Sequence, residues 1–266
     1  MKKTVPFLFL AIIFGVSGWY FFTQEPEAID ELPPPGEPLA IPLESVAPPE
    51  TQSEDKVTNQ LAETGSEPVS IPEPLPLLSE SDTEVKQALG GLVGSDPLAE
   101  YLIKNEVISR FVVVVDSLTS KQVPGQINPI RPAVDEFIVV KGSDTVAMSA
   151  ENFARYDAYV AMIKEVDNTE LLTIYRRYYP LLQQAWEENG GEGSFNDRIV
   201  EVINSLLETP DVPGPVYLTK PEAVYLFEDP ALEGLNAGQK ILVRMGSFNA
   251  AEVKVKLREI SAGLNP

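Results

Sequence analysis

A proline-rich, acidic stretch over residues 24–76 limits most strongly what this chain can fold into. Twelve of the chain's 24 prolines lie in it, together with twelve acidic side chains and one lysine, Lys56. Prolines favour extended polyproline II backbone and like charges repel each other, so we predict a disordered linker without a core of its own. The simpler interpretation is a solvated spacer. The other is a docking segment for a partner that binds proline-rich strands.

An uncharged run over residues 5–22 precedes this linker and follows Lys2 and Lys3. Eleven of its eighteen residues are Leu, Ile, Val or Phe. A helix of this length spans roughly 27 Å, close to the ~30 Å hydrocarbon core of a bilayer. Trp19 and Tyr20 fall where an interfacial aromatic belt would lie. The run therefore predicts a transmembrane helix.

Two other interpretations of this run are a cleaved signal peptide and a buried core helix. Val16-Ser17-Gly18 is a weak cleavage-like triplet, but cleavage there leaves an apolar N-terminus, and the run is long for a signal peptide. The terminal position and the flanking lysines argue against a core helix. We predict an uncleaved single-pass anchor over residues 1–23, with the N-terminus in the cytoplasm and everything after Phe22 outside it.

The composition excludes several classes of function. The formal net charge is -20, and the chain contains neither histidine nor cysteine. A strongly acidic surface repels phosphate backbones, so we expect no nucleic-acid partner. The absence of His and Cys removes catalysis by Ser-His-Asp or Cys-His groups and typical zinc sites. We expect no cofactor and no metal site, and any catalysis must use carboxylates, Lys, Tyr or Ser.

Residues 77–266 are long enough to bury a sizeable core, and helix signals dominate them. Ser81 with Glu84 is a capping box before a short helix that ends at Gly90-Gly91. Val107 to Leu118 has apolar residues at helical spacing, although the β-branched run Val112–Val115 also suits a buried strand. Further helix starts are predicted at Asp96, Ser149, Asp167, Ser194, Asn236 and Ser247.

Apolar stripes on these helices predict which side chains face the core. They comprise Phe153, Tyr156, Val160 and Ile163, then Leu171, Tyr175, Tyr178, Leu182 and Trp186, then Phe195, Ile199, Val202, Ile203 and Leu206, and finally Val253, Leu257 and Ile260. Pro180 is predicted to kink the second of these helices, and Asn189-Gly190-Gly191 to end it.

Short β elements are predicted at two places. Phe137–Val140 and Val146–Met148 flank a polar turn and predict a hairpin, after a loop over residues 120–135. Val216–Leu218 is predicted as a further short strand, followed by a short helix around Ala223–Phe227. The predicted fold class is mainly α: a single helical domain over residues 77–266 with a small β-hairpin.

Four sequence motifs resemble a known bacterial family. They are Asn152–Asp157, Tyr175–Leu182, Phe195–Arg198, and Gly238–Lys240 with Arg244–Gly246. They resemble the domain-of-unknown-function family numbered 3014, over roughly residues 77–263. The resemblance implies a bacterial envelope protein with an N-terminal anchor. Together with the orientation of the predicted anchor, this places the anchor in the inner membrane and the globular domain in the periplasm. It implies no activity, ligand or catalytic residue.

Arginines and tyrosines concentrate in two of the predicted helices, which is unusual in so acidic a chain. An arginine offers a fork for carboxylates, and a tyrosine offers a stacking face with a polar tip, so together they suit a sugar or carboxylate ligand. The alternative is that the aromatic rings pack between the helices and the arginines pair with local acids. The candidate binding residues of this group are Arg155, Tyr156, Tyr159, Tyr175, Arg176 and Tyr179, with Arg177, Tyr178 and Trp186 beside them.

Asp197 and Arg198 complete the candidate binding set. Asp197 lies in the predicted first turn of a helix, where it is either a ligand anchor or a side chain that complements the helix dipole. Glu187-Glu188 is a carboxylate pair of the kind that glycoside hydrolysis uses, but such pairs arise by chance in a chain with 40 acidic residues. No residue is predicted to be catalytic.

The sequence leaves two hypotheses on function. The first is a membrane-anchored periplasmic binding or scaffolding protein of the bacterial cell envelope. Its partners are the inner membrane, through residues 5–22, and an unknown envelope protein or glycan. The second is a carboxylate-based hydrolase that acts on cell-wall glycan.

Overall fold

The computed structural model describes residues 74–93, 102, 105–129, 137–221 and 224–264. The predicted transmembrane helix over residues 5–22 lies outside the described residues, as does the predicted linker up to residue 73. The helix predicted to open at Asp96 also lies outside them, apart from residue 102. Among the described residues, no helix has the length and apolar character needed to cross a bilayer.

Nine helices and four short strands make up the described part of the chain. The helices are α1 (Asp82–Val93), α2 (Val107–Ser117), α3 (Glu151–Ala154), α4 (Asp157–Glu165), α5 (Asn168–Glu188), α6 (Phe195–Leu207), α7 (Pro230–Glu233), α8 (Ala237–Arg244) and α9 (Gly246–Leu264). The strands are β1 (Val139–Lys141), β2 (Val146–Met148), β3 (Tyr217–Thr219) and β4 (Leu226–Phe227). The mainly helical prediction is confirmed. The predicted hairpin is present as β1 and β2, the strand predicted at Val216–Leu218 corresponds to β3, and β4 is a fourth strand that was not predicted.

The main core lies between α2, α5, α6 and α9. Helix α2 packs on α5 and α6, and α9 packs on α4, α5, α6 and α8. Val112–Val115 are helical, as the periodicity of the flanking residues predicts, because α2 buries side chains on most of its circumference. The predicted core stripes of α5, α6 and α9 are buried, as are Tyr156, Val160 and Ile163 of the first stripe, whereas Phe153 is half-buried. Leu75 also packs against this core, so the packed part of the domain includes residues before position 77.

Three predicted helix caps are present in the structure. The Asp167 carboxylate accepts hydrogen bonds from the backbone N–H groups of Thr169 and Glu170. Ser194 accepts in the same way from the second and third residues of α6. Asn236 and Gln239 form a reciprocal capping box at the start of α8. These caps satisfy N–H groups that have no partner within their own helices.

Two other cap predictions are wrong. The capping box predicted for Ser81 and Glu84 is replaced by other bonds: the Ser81 hydroxyl donates to the carbonyl oxygen of Leu78 at 2.8 Å, and Glu84 accepts from Arg177 and Tyr178. Helix α1 also continues through Gly90-Gly91 to Val93. Helix α9 begins at Gly246, so Ser247 lies inside it.

The helix predicted to open after Ser149 is divided into α3 and α4. The carbonyl oxygen of Phe153 accepts the N–H of Tyr156 three residues on, at 3.0 Å, and also the side-chain amide of Asn249, at 3.1 Å. The same amide donates to Asp157 Oδ1 at 3.0 Å. A polar side chain from α9 therefore occupies the point where the regular hydrogen-bond ladder is interrupted.

The four strands form one antiparallel sheet in the order β1-β2-β3-β4. Its inner face buries Met148, Val216, Leu218 and Phe227 against Val243 of α8 in a second apolar cluster. The helix predicted around Ala223–Phe227 is wrong, because Leu226–Phe227 pair with β3 and become β4. A short helix does follow, but it is α7, which begins at Pro230, three residues after Phe227. Asp229 caps α7 by accepting the Ala231 backbone N–H.

Candidate functional site

Three of the predicted binding residues lie around the start of α4. Tyr156 is only 1% exposed and Tyr159 is also buried. Burial raises the pKa of the Tyr156 hydroxyl, while the nearby Arg155 and Arg244 charges oppose that shift. The Arg155 guanidinium lies 6.0 Å from the centre of the Phe137 ring, and its Nε donates to the Asn152 carbonyl oxygen. Both tyrosines are therefore core side chains.

Tyr175 and Tyr179 lie together near the start of α6, with ring centres 5.7 Å apart. The Tyr175 hydroxyl donates to Asn196 Oδ1 at 3.0 Å. The Tyr179 hydroxyl lies 3.1 Å from Gln183 Oε1 and 3.1 Å from the Ser194 hydroxyl. Burial raises the pKa of Tyr175, and Tyr179 and Asp197 contribute in the same direction. This network positions the first turn of α6.

Asp197 and Arg198 lie in the first turn of α6, beside the Tyr175 network, whereas Arg176 contacts the end of α9. Arg176 is exposed and donates from Nη2 to the Gly263 carbonyl oxygen at 3.1 Å. Asp197 is exposed in the first turn of α6. Arg198 forms ion pairs with Asp116 and Glu201 at 2.8 and 2.7 Å. Of the predicted binding residues, Tyr175, Tyr179 and Asp197 thus lie near one another, whereas Arg155, Arg176 and Arg198 contact other local groups. Their role in binding a ligand stays a prediction.

Two carboxylates outside the predicted set have clear electrostatic roles. Glu84 accepts hydrogen bonds from Arg177 and Tyr178, and the bond from Arg177 contributes most to lowering the pKa of Glu84. The backbone N–H groups of Glu170 and Thr169 lower the pKa of Asp167. Both shifts favour the ionised carboxylate, which is the opposite of what a general acid needs. Among the described residues, no group of three or more acidic side chains is arranged to bind a metal ion.

A buried pair of cations lies where α8 meets the sheet. The Lys240 ammonium forms an ion pair with Glu233 of α7, whose other oxygen accepts the Phe227 backbone N–H at 2.9 Å. The Arg244 guanidinium lies 5.0 Å from the centre of the Phe227 ring. Burial lowers the pKa of Arg244 to about 10, with Tyr156 and Glu233 opposing, so it stays charged at neutral pH. These groups connect α7, α8 and the sheet inside the fold.

An open groove of about 240 Å³ runs along α9 and is a candidate binding site. One wall is the loop Pro210–Val212 that follows α6, and Leu242 and Val243 of α8 also contribute to its lining. The other wall is a single stripe of α9 with three- and four-residue spacing: Ser247, Ala250, Ala251, Lys254, Val255 and Arg258. We call this cavity the α9 groove.

The α9 groove combines exposed apolar surface with positive charge. Val255 in the lining is 51% exposed. Phe248 flanks the groove two turns earlier on the same side of α9 and is 73% exposed. Lys254 donates to the Thr209 carbonyl oxygen. Desolvation lowers the pKa of Lys254, the Asp211 charge opposes this shift, and the Arg258 charge adds to it. The charges of Lys254 and Arg258 therefore lie close enough to repel each other, and the loop wall contributes one carboxylate, Asp211.

The sequence prediction missed this groove. The stripe predicted to face the core, Val253, Leu257 and Ile260, is correct and accounts for the buried side of α9. The available signal was a second set of apolar residues, Phe248 and Val255, on the opposite side of the same helix. The loop wall has no comparable signal, because residues 210–212 reach α9 only through tertiary packing.

The fold and the groove define a mainly helical domain with a small antiparallel sheet and a surface cleft beside its last helix. The chain belongs to the family described as Protein of unknown function (DUF3014), which matches residues 107–261. The match extends from α2 into α9 and includes both walls of the groove. No curated protein and no solved structure matches the chain.

Proposed function

We propose that this chain is a binding or scaffolding protein of the bacterial cell envelope. The observation that carries the proposal is the α9 groove, which exposes Val255 beside two cations, with the exposed Phe248 flanking the groove on the same side of α9. Contiguous exposed apolar surface with a polar rim is typical of surfaces that bind another molecule. In this proposal, the groove holds a second component of the envelope.

The location of the protein is part of the same proposal. The uncharged run over residues 5–22 and the two lysines before it support an anchor in the inner membrane with a cytoplasmic N-terminus. The proline-rich residues 24–76 support a spacer that lets the domain reach partners in the periplasm. Resistance of the full chain to alkaline extraction from membranes, together with activity of a periplasmic reporter fused after residue 266, tests this part.

The alternative, a carboxylate-based hydrolase of cell-wall glycan, has less support. Such enzymes need two facing carboxyl groups, one of them with a raised pKa. The α9 groove has one lining carboxylate, Asp211, beside Lys254 and Arg258. The pKa values of Glu84 and Asp167 are lowered. Release of soluble fragments when the full chain is incubated with purified peptidoglycan would instead favour the hydrolase.

Photo-crosslinking in living cells tests the binding function directly. A photoreactive phenylalanine analogue replaces Phe248 or Val255 in the full chain, and Val140 serves as the matched control. Val140 is also apolar and 58% exposed, but it lies on the sheet. We expect discrete adducts from positions 248 and 255 and none from position 140. Absence of adducts at both groove positions contradicts the proposal.

A further inference from the structure

We infer that the α9 groove binds an acidic peptide segment of a partner protein, whose apolar side chains cover Phe248 and Val255 and whose carboxylates reach Lys254 and Arg258. This inference rests on the proposed function, because it names the class of partner for the same groove. It commits to a peptide, as distinct from a glycan or a second copy of the chain.

The apolar part of the argument comes from the two sides of α9. Buried side chains on one side, among them Val253, Leu257 and Ile260, already fix this helix to the domain. The groove side therefore contributes apolar surface that the fold itself does not use. Its central residues are the small Ala250 and Ala251, which leave room between the walls. Phe248 and Arg258 are ten residues apart, or about 15 Å along a helix, which matches a segment of roughly three helical turns.

The electrostatic part comes from the two cations. Lys254 and Arg258 are four residues apart and so lie on one face of α9. Lys254 donates one hydrogen bond, to Thr209, and an ammonium group has three donors. Among the residues that the structure describes, none forms an ion pair with the Arg258 guanidinium or accepts a hydrogen bond from it. An incoming carboxylate would relieve the repulsion between these cations and use their remaining donors.

Charge also decides between the alternative occupants. In a symmetric homodimer, the Lys254 and Arg258 charges of both copies would meet in the same contact, so a homodimer through this groove is disfavoured. A neutral sugar would fill the space without balancing two cations. An acidic peptide with apolar side chains uses both features of the groove, and the positive site in an otherwise acidic protein selects it from a mixture of envelope proteins.

Fluorescence anisotropy with the full chain in detergent tests the inference. The probes are two labelled synthetic peptides of about 15 residues, or four helical turns. Both carry leucines along one face, and their remaining positions are Glu in one probe and Lys in the other. We expect the Glu probe to bind at least about tenfold more tightly than the Lys probe, and added salt to weaken its binding.

Charge reversal supplies the matched variants. Lys254→Glu with Arg258→Glu is expected to weaken the Glu probe about tenfold and to reverse the preference between probes. Arg258→Glu alone guards against misfolding, because its side chain has no hydrogen bond to lose among the described residues. Lys141→Glu with Lys220→Glu makes the same change in net charge at two exposed sheet-region positions and is expected to leave both affinities unchanged.

Three outcomes would overturn the inference: equal binding of both probes, no effect of the groove reversal, or displacement of the Glu probe by soluble peptidoglycan fragments. The crosslinking experiment separates these failures from failure of the proposed function. If the adduct at position 248 still forms in the Lys254→Glu, Arg258→Glu variant, the proposed binding function stands. The inference that the partner is acidic is then wrong. Loss of adducts at every groove position in the unmodified background removes the function itself.

Discussion

Arg198 on α6 connects to Asp116 in the last turn of α2 through two hydrogen bonds. Its Nε donates to Asp116 Oδ1 at 2.8 Å, and its Nη2 donates to the Asp116 carbonyl oxygen at 2.9 Å. The same Nη2 reaches the Thr119 hydroxyl. The last carbonyl groups of a helix lack partners within it, so this guanidinium completes the end of α2 while it fixes α6 beside it.

Replacing Arg198 with lysine keeps the positive charge but removes the planar fork. We expect Arg198→Lys to lower the free energy of unfolding by about 1 kcal/mol, because the lost hydrogen bonds are charge-assisted but Asp116 is partly exposed. Urea denaturation of the full chain measures this change. Arg176→Lys is the control, since Arg176 has one bond, to Gly263, on an exposed surface. Equal losses for the two variants would contradict the role given to Arg198.

Gly246 begins α9 at a position that no other residue suits. Its φ is +80°, and a Cβ there would lie 2.7 Å from Cγ of Phe153. We expect Gly246→Ala to lower the free energy of unfolding by about 2–4 kcal/mol, from the left-handed backbone and the clash together. Gly190 provides a matched control, because its φ is +83° but a Cβ there meets nothing within 4 Å.

The control separates the free-energy cost of the left-handed backbone from the cost of the contact with Phe153. Gly190→Ala has only the backbone cost, about 1 kcal/mol, so the difference between the variants measures the contact with Phe153. Thermal and urea unfolding of both variants provide the comparison. If Gly190→Ala is as damaging as Gly246→Ala, the close approach of Phe153 has no energetic effect.

The Lys240–Glu233 ion pair yields a prediction about a buried charge. Lys240 is 3% exposed, whereas the Glu233 side chain retains contact with water. We expect Lys240→Met to lower the free energy of unfolding by about 2 kcal/mol, because it leaves Glu233 without its cation. Adding Glu233→Gln should recover part of the loss, since the amide oxygen still accepts the Phe227 N–H. A double variant no more stable than Lys240→Met would contradict this account.

The parts of the fold that the sequence predicts well depend on local interactions. Asp167, Ser194 and Asn236 cap helices through residues two or three positions away, so their patterns are visible in the sequence. The division between α3 and α4 depends on Asn249, which is 96 residues from Phe153. Strand β4 depends on pairing with Leu218 and Thr219. No window of neighbouring residues contains Asn249 together with Phe153, and the pairing of β4 needs both strands of a hairpin to form.

The same distinction applies to the candidate site. Helical periodicity correctly places Tyr156 and Tyr175 in the core, and it therefore also supports packing as the role of these aromatic residues. The α9 groove forms only when the loop at Asp211 meets α9, which is a tertiary event. Exposed Phe248 and Val255 on a helix with an already complete buried stripe were the only sequence features that pointed to it.

The ion pair of Glu84 with Arg177 is expected to make the domain less stable at acidic pH. The hydrogen bond from Arg177 is the largest contribution that lowers the pKa of Glu84 from its ordinary value of 4.5. Because the folded pKa is lower than the unfolded one, the stabilisation is fully present above about pH 4.5 and is lost as pH falls through the folded pKa. We expect Glu84→Gln to be less stable than the unmodified chain at pH 7, with the gap narrowing below pH 4.5.

Urea midpoints at low salt, measured from pH 7 to pH 3, follow this gap between Glu84→Gln and the unmodified chain. Glu80→Gln is the control, because it removes one negative charge from the turn just before α1 without breaking an ion pair among the described residues. The difference in urea midpoint between Glu80→Gln and the unmodified chain should not narrow in the same pH range. Added salt should reduce the Glu84 effect as well, since both partners are partly exposed and the surrounding ions screen them. A Glu84→Gln gap that stays constant down to pH 3 would show that the Arg177 contact does not depend on the ionised carboxylate.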